Sequence, residues 1–370
     1  KLGRVNLIVG KNNVGKSSVL EALRILAANA NEFALANIAS GRDEKYAFKE
    51  TDFDEFNASL PFEDFFPGRY FPASDGQAIE IGDPAGELLK IEHGYYVQEL
   101  VASTSQAGDI IQSQRLRRIL KRDMVNQNGR RALQALFLQR GQWTDVLQFD
   151  LTGARQGRLS GTYSPEYTCS CSLVPTHLVS IDELADEWDQ IALTSHQAVV
   201  YEAMRLIMPA FEAITFVRND DASRVDLQSG KPLRRVAKVK LANVDRLVPL
   251  RSLGEGMQRV FQMVLKVFPA KGGFLLIDEF ESGLHYSVQE KVWGMMFELA
   301  EKLHIQVFAT THSWDCIEKF ARIAKQRTES NGVLLHLGAS VRTSDHGKIV
   351  ATVFDENELF ELTQADMEVR

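Results

Sequence analysis

The stretch Gly10-Lys11-Asn12-Asn13-Val14-Gly15-Lys16-Ser17 matches the pattern G-x-x-x-x-G-K-[ST] and decides how the rest of the chain is interpreted. A short apolar run at Val5–Val9, typical of a buried strand, precedes it, and apolar residues at helical spacing follow it. Glycines in such a loop let backbone N–H groups turn inward around phosphate oxygens. The N-terminus of the following helix adds a partial positive charge. The sequence therefore predicts a phosphate-binding loop between a strand and a helix.

Two side chains of this loop have distinct expected roles. Lys16 would reach the β- and γ-phosphates of ATP, and Ser17 would bind Mg²⁺. The residues expected to contact the nucleotide here are Gly10, Asn12, Asn13, Val14, Gly15, Lys16, Ser17 and Ser18. The loop thus predicts ATP and Mg²⁺ as cofactors.

A second element supplies carboxylates. The apolar run Phe274–Ile277 is followed directly by Asp278 and Glu279. In open α/β sheets, ligands bind at the carboxyl ends of the strands, where this pair would lie. We expect Asp278 to bind Mg²⁺ and Glu279 to act as a general base on the attacking water. Such a run alone is a weak signal, but downstream of a P-loop it predicts hydrolysis.

Two further patterns complete the candidate site. Residues 305–310 read as a buried strand that ends in Thr310-Thr311-His312-Ser313, and the strand–helix–strand order predicts a parallel pair. Because His312 would lie beside the acid pair, it is a second catalytic candidate. Glycine spacing in Ser252-Leu253-Gly254-Glu255-Gly256-Met257 indicates another phosphate-facing helix start, although the same pattern is also typical of an ordinary loop.

In this order, the four elements resemble the ABC-type ATPase heads of the SMC/RecF group, within the AAA-family ATPases. The chain is most similar to stand-alone ATPases related to the OLD (overcoming lysogenization defect) family, which lack a Toprim domain and act in anti-phage defence. The resemblance is densest in three stretches and weakest over residues 31–77. The dense stretches are Ser252-Leu253-Gly254-Glu255-Gly256-Met257, Leu276-Ile277-Asp278-Glu279-Phe280-Glu281-Ser282-Gly283-Leu284-His285-Tyr286-Ser287 and Val307-Phe308-Ala309-Thr310-Thr311-His312-Ser313.

The resemblance implies an α/β P-loop NTPase fold: an ABC-ATPase head with a mixed sheet, an antiparallel β subdomain and a helical insertion. Ser252 and Gly254 would occupy the Ser and second Gly of the ABC signature, which contacts the γ-phosphate of ATP held by another subunit. Residues 282–285 would form an interface loop, and His312 would be the switch histidine. The Phe62-Glu63-Asp64-Phe65-Phe66 segment looks like the family's loop near the Q-loop.

The implied function is ATP hydrolysis at the interface of a homo-oligomer of at least two copies. In bacterial anti-phage defence, such an ATPase would be a sensor or scaffold that controls a separate effector. Too few residues follow His312 to hold a Toprim domain, so we expect any nuclease to be a separate protein.

The composition of the chain argues against some classes of protein, and the spacing of its motifs suggests a division into domains. The chain has 370 residues and a formal net charge of −7, which argues against a protein coated in basic charge for nucleic acid. We expect three parts: an ATPase lobe with P-loop and β subdomain over 1–105, a helical insertion lobe over 106–212, and an ATPase lobe with signature, acid pair and switch histidine over 213–370. Three cysteines and no long apolar run predict a cytoplasmic protein without a membrane segment.

A basic cluster in the predicted helical insertion keeps a different function open. Its members are Arg115, Arg117, Arg118, Lys121, Arg122, Arg130 and Arg131. The cluster could grip a DNA backbone or an acidic partner, or it could be a solvated helix face. The alternatives are therefore a DNA-repair or chromosome-maintenance ATPase that binds DNA directly, and an assembly protein that binds ATP without hydrolysing it.

Overall fold

The computed structural model describes residues 2–42, 47–48, 58–59, 62–104, 110–121, 123, 132–149, 165–219, 234–327, 331–342, 344 and 348–364. The chain divides into two compact units. Unit 1 comprises Lys1–Leu20 and Cys169–Arg370, and unit 2 comprises Glu21–Thr168. Among the described residues, no helix is both long and apolar enough to cross a membrane.

The described helices, in chain order, are α1 Lys16–Ala27, α2 Glu32–Gly41, α3 Ile181–Ile191, α4 Ser195–Ile207, α5 Glu255–Val267, α6 Tyr286–Lys302, α7 Trp314–Gln326 and α8 Glu356–Gln364. The described strands are β1 Val5–Val9, β2 Ala47–Phe48, β3 Ala58–Ser59, β4 Ala78–Gly82, β5 Leu88–Thr104, β6 Ile110–Ile119, β7 Leu133–Arg140, β8 Trp143–Gln148, β9 Cys171–Val174, β10 Phe211–Arg218, β11 Arg235–Leu241, β12 Val244–Pro249, β13 Phe274–Ile277, β14 Gln306–Thr310, β15 Gly332–Ala339 and β16 Ile349–Phe354.

The main sheet of unit 1 has the strand order β16-β15-β1-β14-β13-β9. All neighbouring pairs are parallel except β15–β16, so the sheet is mixed, as the sequence predicts. Strands β1, β13 and β14 are almost wholly buried, which explains their continuous apolar runs. Because these strands are parallel, their carboxyl ends meet at one edge of the sheet. This edge brings the loop after β1 next to Asp278 and Thr310.

Aromatic residues pack together the helices that follow β13 and β14, which are α6 and α7. Phe280, just after the acid pair, stacks on Trp293 of α6 with ring centroids 3.6 Å apart, and Trp293 meets Phe320 of α7 edge-on at 4.9 Å. All three rings are buried. Ser313 caps α7 by accepting a hydrogen bond from Cys316 N at 3.4 Å. The segment after β13 is therefore packed against α6 through Phe280, and the segment after β14 is joined to the start of α7 through Ser313.

A separate antiparallel sheet of unit 1, β10-β11-β12, leads into α5. A 3₁₀ turn at Leu250–Leu253 joins β12 to that helix, and Gly254 is its N-cap. Nearly every residue of α5 after its first turn is buried. This helix is therefore a core element whose N-terminal end alone reaches the surface.

Unit 2 is built around an antiparallel sheet in the order β4-β5-β7-β8, with β6 paired to β5. Strands β4 and β5 pair antiparallel as a hairpin, from Ala78↔Glu92 to Gly82↔Leu88. The core of this unit is apolar and includes Phe62, Phe66, Leu89, Ile91, Leu136, Leu138 and Leu147.

The structure corrects the predicted three-part division. Among the described residues of the segment 106–212, strands β6, β7 and β8 come first, and the first α-helix begins at Ile181. No boundary falls near residue 105 because β5 and β6 pair across it, from Tyr95↔Ile119 to Thr104↔Ile110. Cross-strand pairing thus ties together residues that the sequence assigns to different lobes.

Candidate functional site

The phosphate-binding loop turns sharply between β1 and α1. Gly10, Asn13 and Gly15 have φ angles of 145°, 64° and 95°, in the left-handed region that glycine adopts most easily. A Cβ atom at Gly10 would lie 2.5 Å from the Leu337 carbonyl oxygen, so this position has no room for a side chain. The backbone geometry therefore explains both glycines of the motif.

The loop places its polar side chains on the open side. The Lys16 Nζ donates hydrogen bonds to the carbonyl oxygens of Gly10 at 2.8 Å and Lys11 at 3.1 Å, so the amine lies across the loop. The remaining predicted contact residues Asn12, Asn13, Ser17 and Ser18 are exposed, and Val14 and Gly15 are half-buried.

Asp278 is the centre of a hydroxyl cluster. Its Oδ1 accepts hydrogen bonds from Thr310 Oγ1 at 2.7 Å and Ser17 Oγ at 3.5 Å, and its Oδ2 accepts one from Thr176 Oγ1 at 3.3 Å. Thr310 is the last residue of β14, whereas Ser17 and Thr176 come after β1 and β9. The Asp278 carboxylate therefore accepts hydrogen bonds from hydroxyl groups that three strands bring to the carboxyl edge of the sheet. The two predicted Mg²⁺ ligands, Ser17 and Asp278, are thereby brought together.

The oxygen donors of Ser17 and Asp278 fit Mg²⁺, which is usually bound by one or two carboxylates together with substrate phosphates. Across the described ranges, no group of three or more His, Cys, Asp or Glu side chains could hold a metal by itself. The chemistry of this donor set therefore suits a cation that arrives with a nucleotide.

Glu279 has an unusual backbone. Its φ angle is 47°, and a left-handed conformation costs a non-glycine residue roughly 1–2 kcal/mol. Three hydrogen bonds hold it: Glu279 N donates to Thr310 Oγ1 at 2.8 Å, and Glu279 O accepts from Ser282 N at 2.9 Å and from the Arg259 guanidinium at 3.2 Å. The side chain is 41% exposed. The carboxylate therefore projects from a fixed backbone and is accessible to solvent.

Arg259 of α5 lies beneath the acid pair with 1% of its surface exposed. It donates to the carbonyl oxygens of Asp278 at 2.9 Å and Glu279 at 3.2 Å, and also to the Pro175 carbonyl oxygen. Burial lowers the pKa of the guanidinium to about 10, although the charges of Asp278 and Glu279 favour its protonation. The group therefore remains a cation at neutral pH.

His312 follows β14 and lies between two carboxylates. Its Nδ1 is 3.7 Å from Glu279 Oε1 and 3.4 Å from Glu281 Oε1, and its side chain is 55% exposed. The structure thus brings the predicted catalytic pair, Glu279 and His312, to the same edge as the loop and Asp278.

Ser252 and Gly254 lie elsewhere on unit 1. Both are exposed, and Gly254, with a φ angle of 92°, marks the start of α5. Ser252 lines a cavity of about 320 Å³ together with Arg251 and Pro249. Within the described part of the chain, no hydrogen bond joins Ser252 or Gly254 to the loop, the acid pair or His312. Their predicted contact with the nucleotide therefore stays a prediction.

Sequence reasoning gave no role to Thr310, Thr176, Arg259 or Glu281. A hydroxyl residue at a strand end and a charged residue inside the apolar run of α5 were the available signals. Neither signal names a partner, because the partners are far away in the sequence.

The basic cluster of unit 2 differs from the predicted helix face. Residues 115–119 belong to strand β6, where Arg117 pairs with Glu99 at 2.7 Å and Arg118 pairs with Glu92 at 2.5 Å. Arg118 also lies over the Phe137 ring at 4.4 Å. Lys121 Nζ donates to the Ala73 carbonyl oxygen at 3.4 Å, while Arg122, Arg130 and Arg131 lie outside the described residues. Two of the arginines thus make ion pairs within the sheet, and direct DNA binding stays a prediction.

Two family models and one curated protein match parts of the chain. Residues 1–129 match a family described as "AAA ATPase domain", and residues 153–315 match one described as "AAA domain, putative AbiEii toxin, Type IV TA system". A curated relative named ATP/GTP phosphatase, from Helicobacter pylori, is 25% identical over 123 residues, which are 32% of this chain and 32% of that protein. The chain thus matches about a third of that relative's length. The family descriptions do not name the OLD family, so that closer assignment stays a prediction.

Solved structures similar to the chain include two SMC heads. One, bound to the C-winged helix domain of ScpA, is 11% identical with a TM-score of 0.42, and the similarity covers 95% of this chain and 90% of that one. The other, from Thermotoga maritima, is 14% identical with a TM-score of 0.35 at the same coverage. The two family matches, each to less than half of the chain, indicate ATPase domains of the AAA type, and the matched segments contain the P-loop and the acid pair that meet at one sheet edge.

Proposed function

We propose that this chain is an Mg²⁺-dependent ATP hydrolase whose active site is completed by a second copy of the chain. The observation that carries the proposal is the hydrogen-bonded cluster of Ser17, Thr310 and Asp278, with Glu279 directly beside it. In this cluster Ser17 and Asp278 would supply the Mg²⁺ donors beside the phosphate-binding loop, and the exposed Glu279 carboxylate follows Asp278 directly in the chain.

Each group has a defined task in hydrolysis. Lys16 and the loop backbone would bind the β- and γ-phosphates, and Ser17 and Asp278 would hold the metal. Bound Mg²⁺ would neutralise charge on the phosphates. Glu279 would accept the proton of the attacking water, and His312 would contact the γ-phosphate. The fixed backbone of Glu279 suits this task because a general base works only at the correct position.

Exposure of the signature region supports a site shared between two copies. Ser252 and Gly254 are at the surface, at the N-terminal end of α5. A Cβ atom at Gly256 would lie 3.1 Å from the Gly283 carbonyl oxygen, so this helix end packs against the predicted interface loop at residues 282–285. The two elements expected at the interface therefore form one continuous surface, which could face the nucleotide of another copy.

The hydrolysis claim is tested with Glu279→Gln, which keeps the size of the side chain but removes the base. We expect turnover to fall by about 10²–10⁴-fold, the usual contribution of general-base catalysis, while ATP binding persists. Glu290→Gln is the matched control, since Glu290 lies on α6 in an ion pair with Arg322. Unchanged turnover in Glu279→Gln would refute the assignment. Absence of turnover in the wild type would instead favour the non-hydrolysing assembly protein.

The shared site is tested by mixing two inactive variants, Lys16→Ala and Ser252→Arg. If each site uses Lys16 of one copy and Ser252 of the other, mixed dimers contain one intact site. Random pairing in a two-fold dimer then restores about a quarter of wild-type turnover. A mixture that stays inactive contradicts the shared site without affecting the hydrolysis claim.

For the biological role, we propose a sensor or scaffold in bacterial anti-phage defence that controls a separate effector, for example a Toprim nuclease, in the cytoplasm. The support is the resemblance to the OLD-related ATPases and a family description that names a toxin system. The test is the plating efficiency of phage on cells that carry the gene with its neighbours, compared with the same operon carrying Lys16→Ala. Equal plating on both strains contradicts this role.

A further inference from the structure

The side-chain oxygens of Glu281 make three polar contacts with the segment that carries His312. Its Oε2 accepts a hydrogen bond from Thr311 Oγ1 at 2.7 Å, and its Oε1 accepts one from His312 N at 3.1 Å. The same Oε1 lies 3.4 Å from His312 Nδ1. The Glu281 side chain is only 12% exposed, whereas that of His312 is 55% exposed. A nearly buried carboxylate thus holds the His312 backbone by a hydrogen bond and lies close to the exposed imidazole.

These contacts also select the tautomer of His312. Nδ1 faces Glu281 Oε1 and, at 3.7 Å, Glu279 Oε1. An unprotonated Nδ1 would direct its lone pair at these anionic oxygens, so the two carboxylates favour a proton on Nδ1. In the neutral ring Nε2 is then unprotonated, and the Glu281 carboxylate, held by Thr311 Oγ1 and His312 N, lies where it favours this orientation of the ring.

The position of Glu281 in the chain explains why it can do this. It follows Phe280, whose buried ring is stacked on Trp293, and Phe280 N donates to the Thr310 carbonyl oxygen at 2.9 Å. The loop that carries Glu281 is therefore joined to the end of β14 by main-chain and side-chain bonds. Any displacement of Glu281 would move the His312 ring relative to Glu279.

We propose that Glu281 is a positioning residue for ATP hydrolysis, which fixes the tautomer and ring orientation of His312 beside Glu279. This inference rests on the proposed function, because His312 acts only if the site hydrolyses ATP. Glu281 itself does not touch the reacting atoms. Its effect reaches the reaction only through His312.

The kinetic test is Glu281→Gln, which retains shape but has one acceptor oxygen where the carboxylate has two. We expect kcat to fall by about 10- to 100-fold, the scale of a misplaced catalytic group, with KM for ATP changed less than about twofold. In a His312→Asn background, Glu281→Gln should change kcat less than about twofold, since residues that act through one another are non-additive. Glu290→Gln is again the control.

A loss of kcat that persists undiminished in the His312→Asn background would overturn the proposal, because it would show a role independent of the imidazole. Unchanged kcat in Glu281→Gln would also overturn it. Both outcomes require a wild type that hydrolyses ATP and loses turnover in Glu279→Gln, and failure of those two conditions refutes the proposed function instead.

A spectroscopic measurement keeps the proposal testable if the variant does not fold. The two ring nitrogens of ¹⁵N-labelled histidine have different shifts in the two neutral tautomers, and the His312 signal is assigned by its loss in His312→Asn. At a pH where the ring is neutral, the wild type should show the Nδ1–H form. An Nε2–H form in the wild type would overturn the proposal.

Discussion

Thr310 is the residue whose replacement tests the geometry of the site most directly. Its buried hydroxyl donates to Asp278 Oδ1 at 2.7 Å and accepts from Glu279 N at 2.8 Å. Thr310→Val keeps the shape and removes both bonds. A bond to a charged group contributes about 1.5–3 kcal/mol and a neutral bond about 1 kcal/mol, so we expect the free energy of unfolding to fall by roughly 2.5–4 kcal/mol.

The same change releases the left-handed backbone of Glu279, so turnover should fall at least about 10-fold as the base moves away from its position. Thr310→Ser is the matched control, because it keeps the hydroxyl and loses one methyl group, at a cost of about 1 kcal/mol. Urea unfolding followed by tryptophan fluorescence gives the stability, and phosphate release gives the turnover. If Thr310→Val and Thr310→Ser are equally stable and equally active, the hydroxyl does not hold the site and the reasoning is refuted.

Three other experiments test the packing around the site and in unit 2. Arg259→Met should destabilise the protein by roughly 2–5 kcal/mol in urea unfolding, because buried carbonyl groups lose their donor, and Arg259→Lys should cost less; equal stability of the two variants would contradict this. His93, stacked on Phe71 at 3.8 Å, has a pKa lowered from its ordinary 6.5 by burial. The unfolded chain therefore binds the proton first, and unit 2 should lose stability as the pH falls below about 6.5, a loss that is absent in His93→Phe when urea unfolding is compared at pH 7 and 5. Burial raises the pKa of the Cys316 thiol, so a thiol reagent at pH 8 should modify Cys316 only after unfolding, and mass spectrometry that finds rapid native labelling would contradict this.

The nucleotide-binding half of the site could be predicted from sequence because its information is local. Gly10, Gly15 and Lys16 stand within one short loop, and their roles follow from backbone conformation and the start of one helix. The acid pair could be predicted in the same way, since four consecutive apolar residues, three of them buried, indicate a core strand with the pair at its carboxyl end. Patterns of this kind need no knowledge of distant partners.

The basic stretch around Arg117 and Arg118 shows where local pattern fails. The two adjacent arginines interrupt the alternation of polar and apolar residues that would identify β6 as a strand. The segment is a strand because β5 pairs with it along its whole length. A helix would present the charges of Arg117 and Arg118 to solvent. In the strand, these two side chains instead form cross-strand ion pairs with Glu99 and Glu92. The partner strand, not the segment itself, decides the conformation.

By itself, the sequence determined that this chain has a P-loop, an acid-bearing strand and a histidine at the end of a parallel strand. Only the tertiary structure decided that Thr310 joins Asp278 to Glu279, that Arg259 supports the acid pair from below, and that Glu281 holds His312. The physical reason is the strand order β1-β14-β13. Hydrogen bonds between neighbouring parallel strands set that order, and it brings together side chains whose separation in the chain leaves no local pattern.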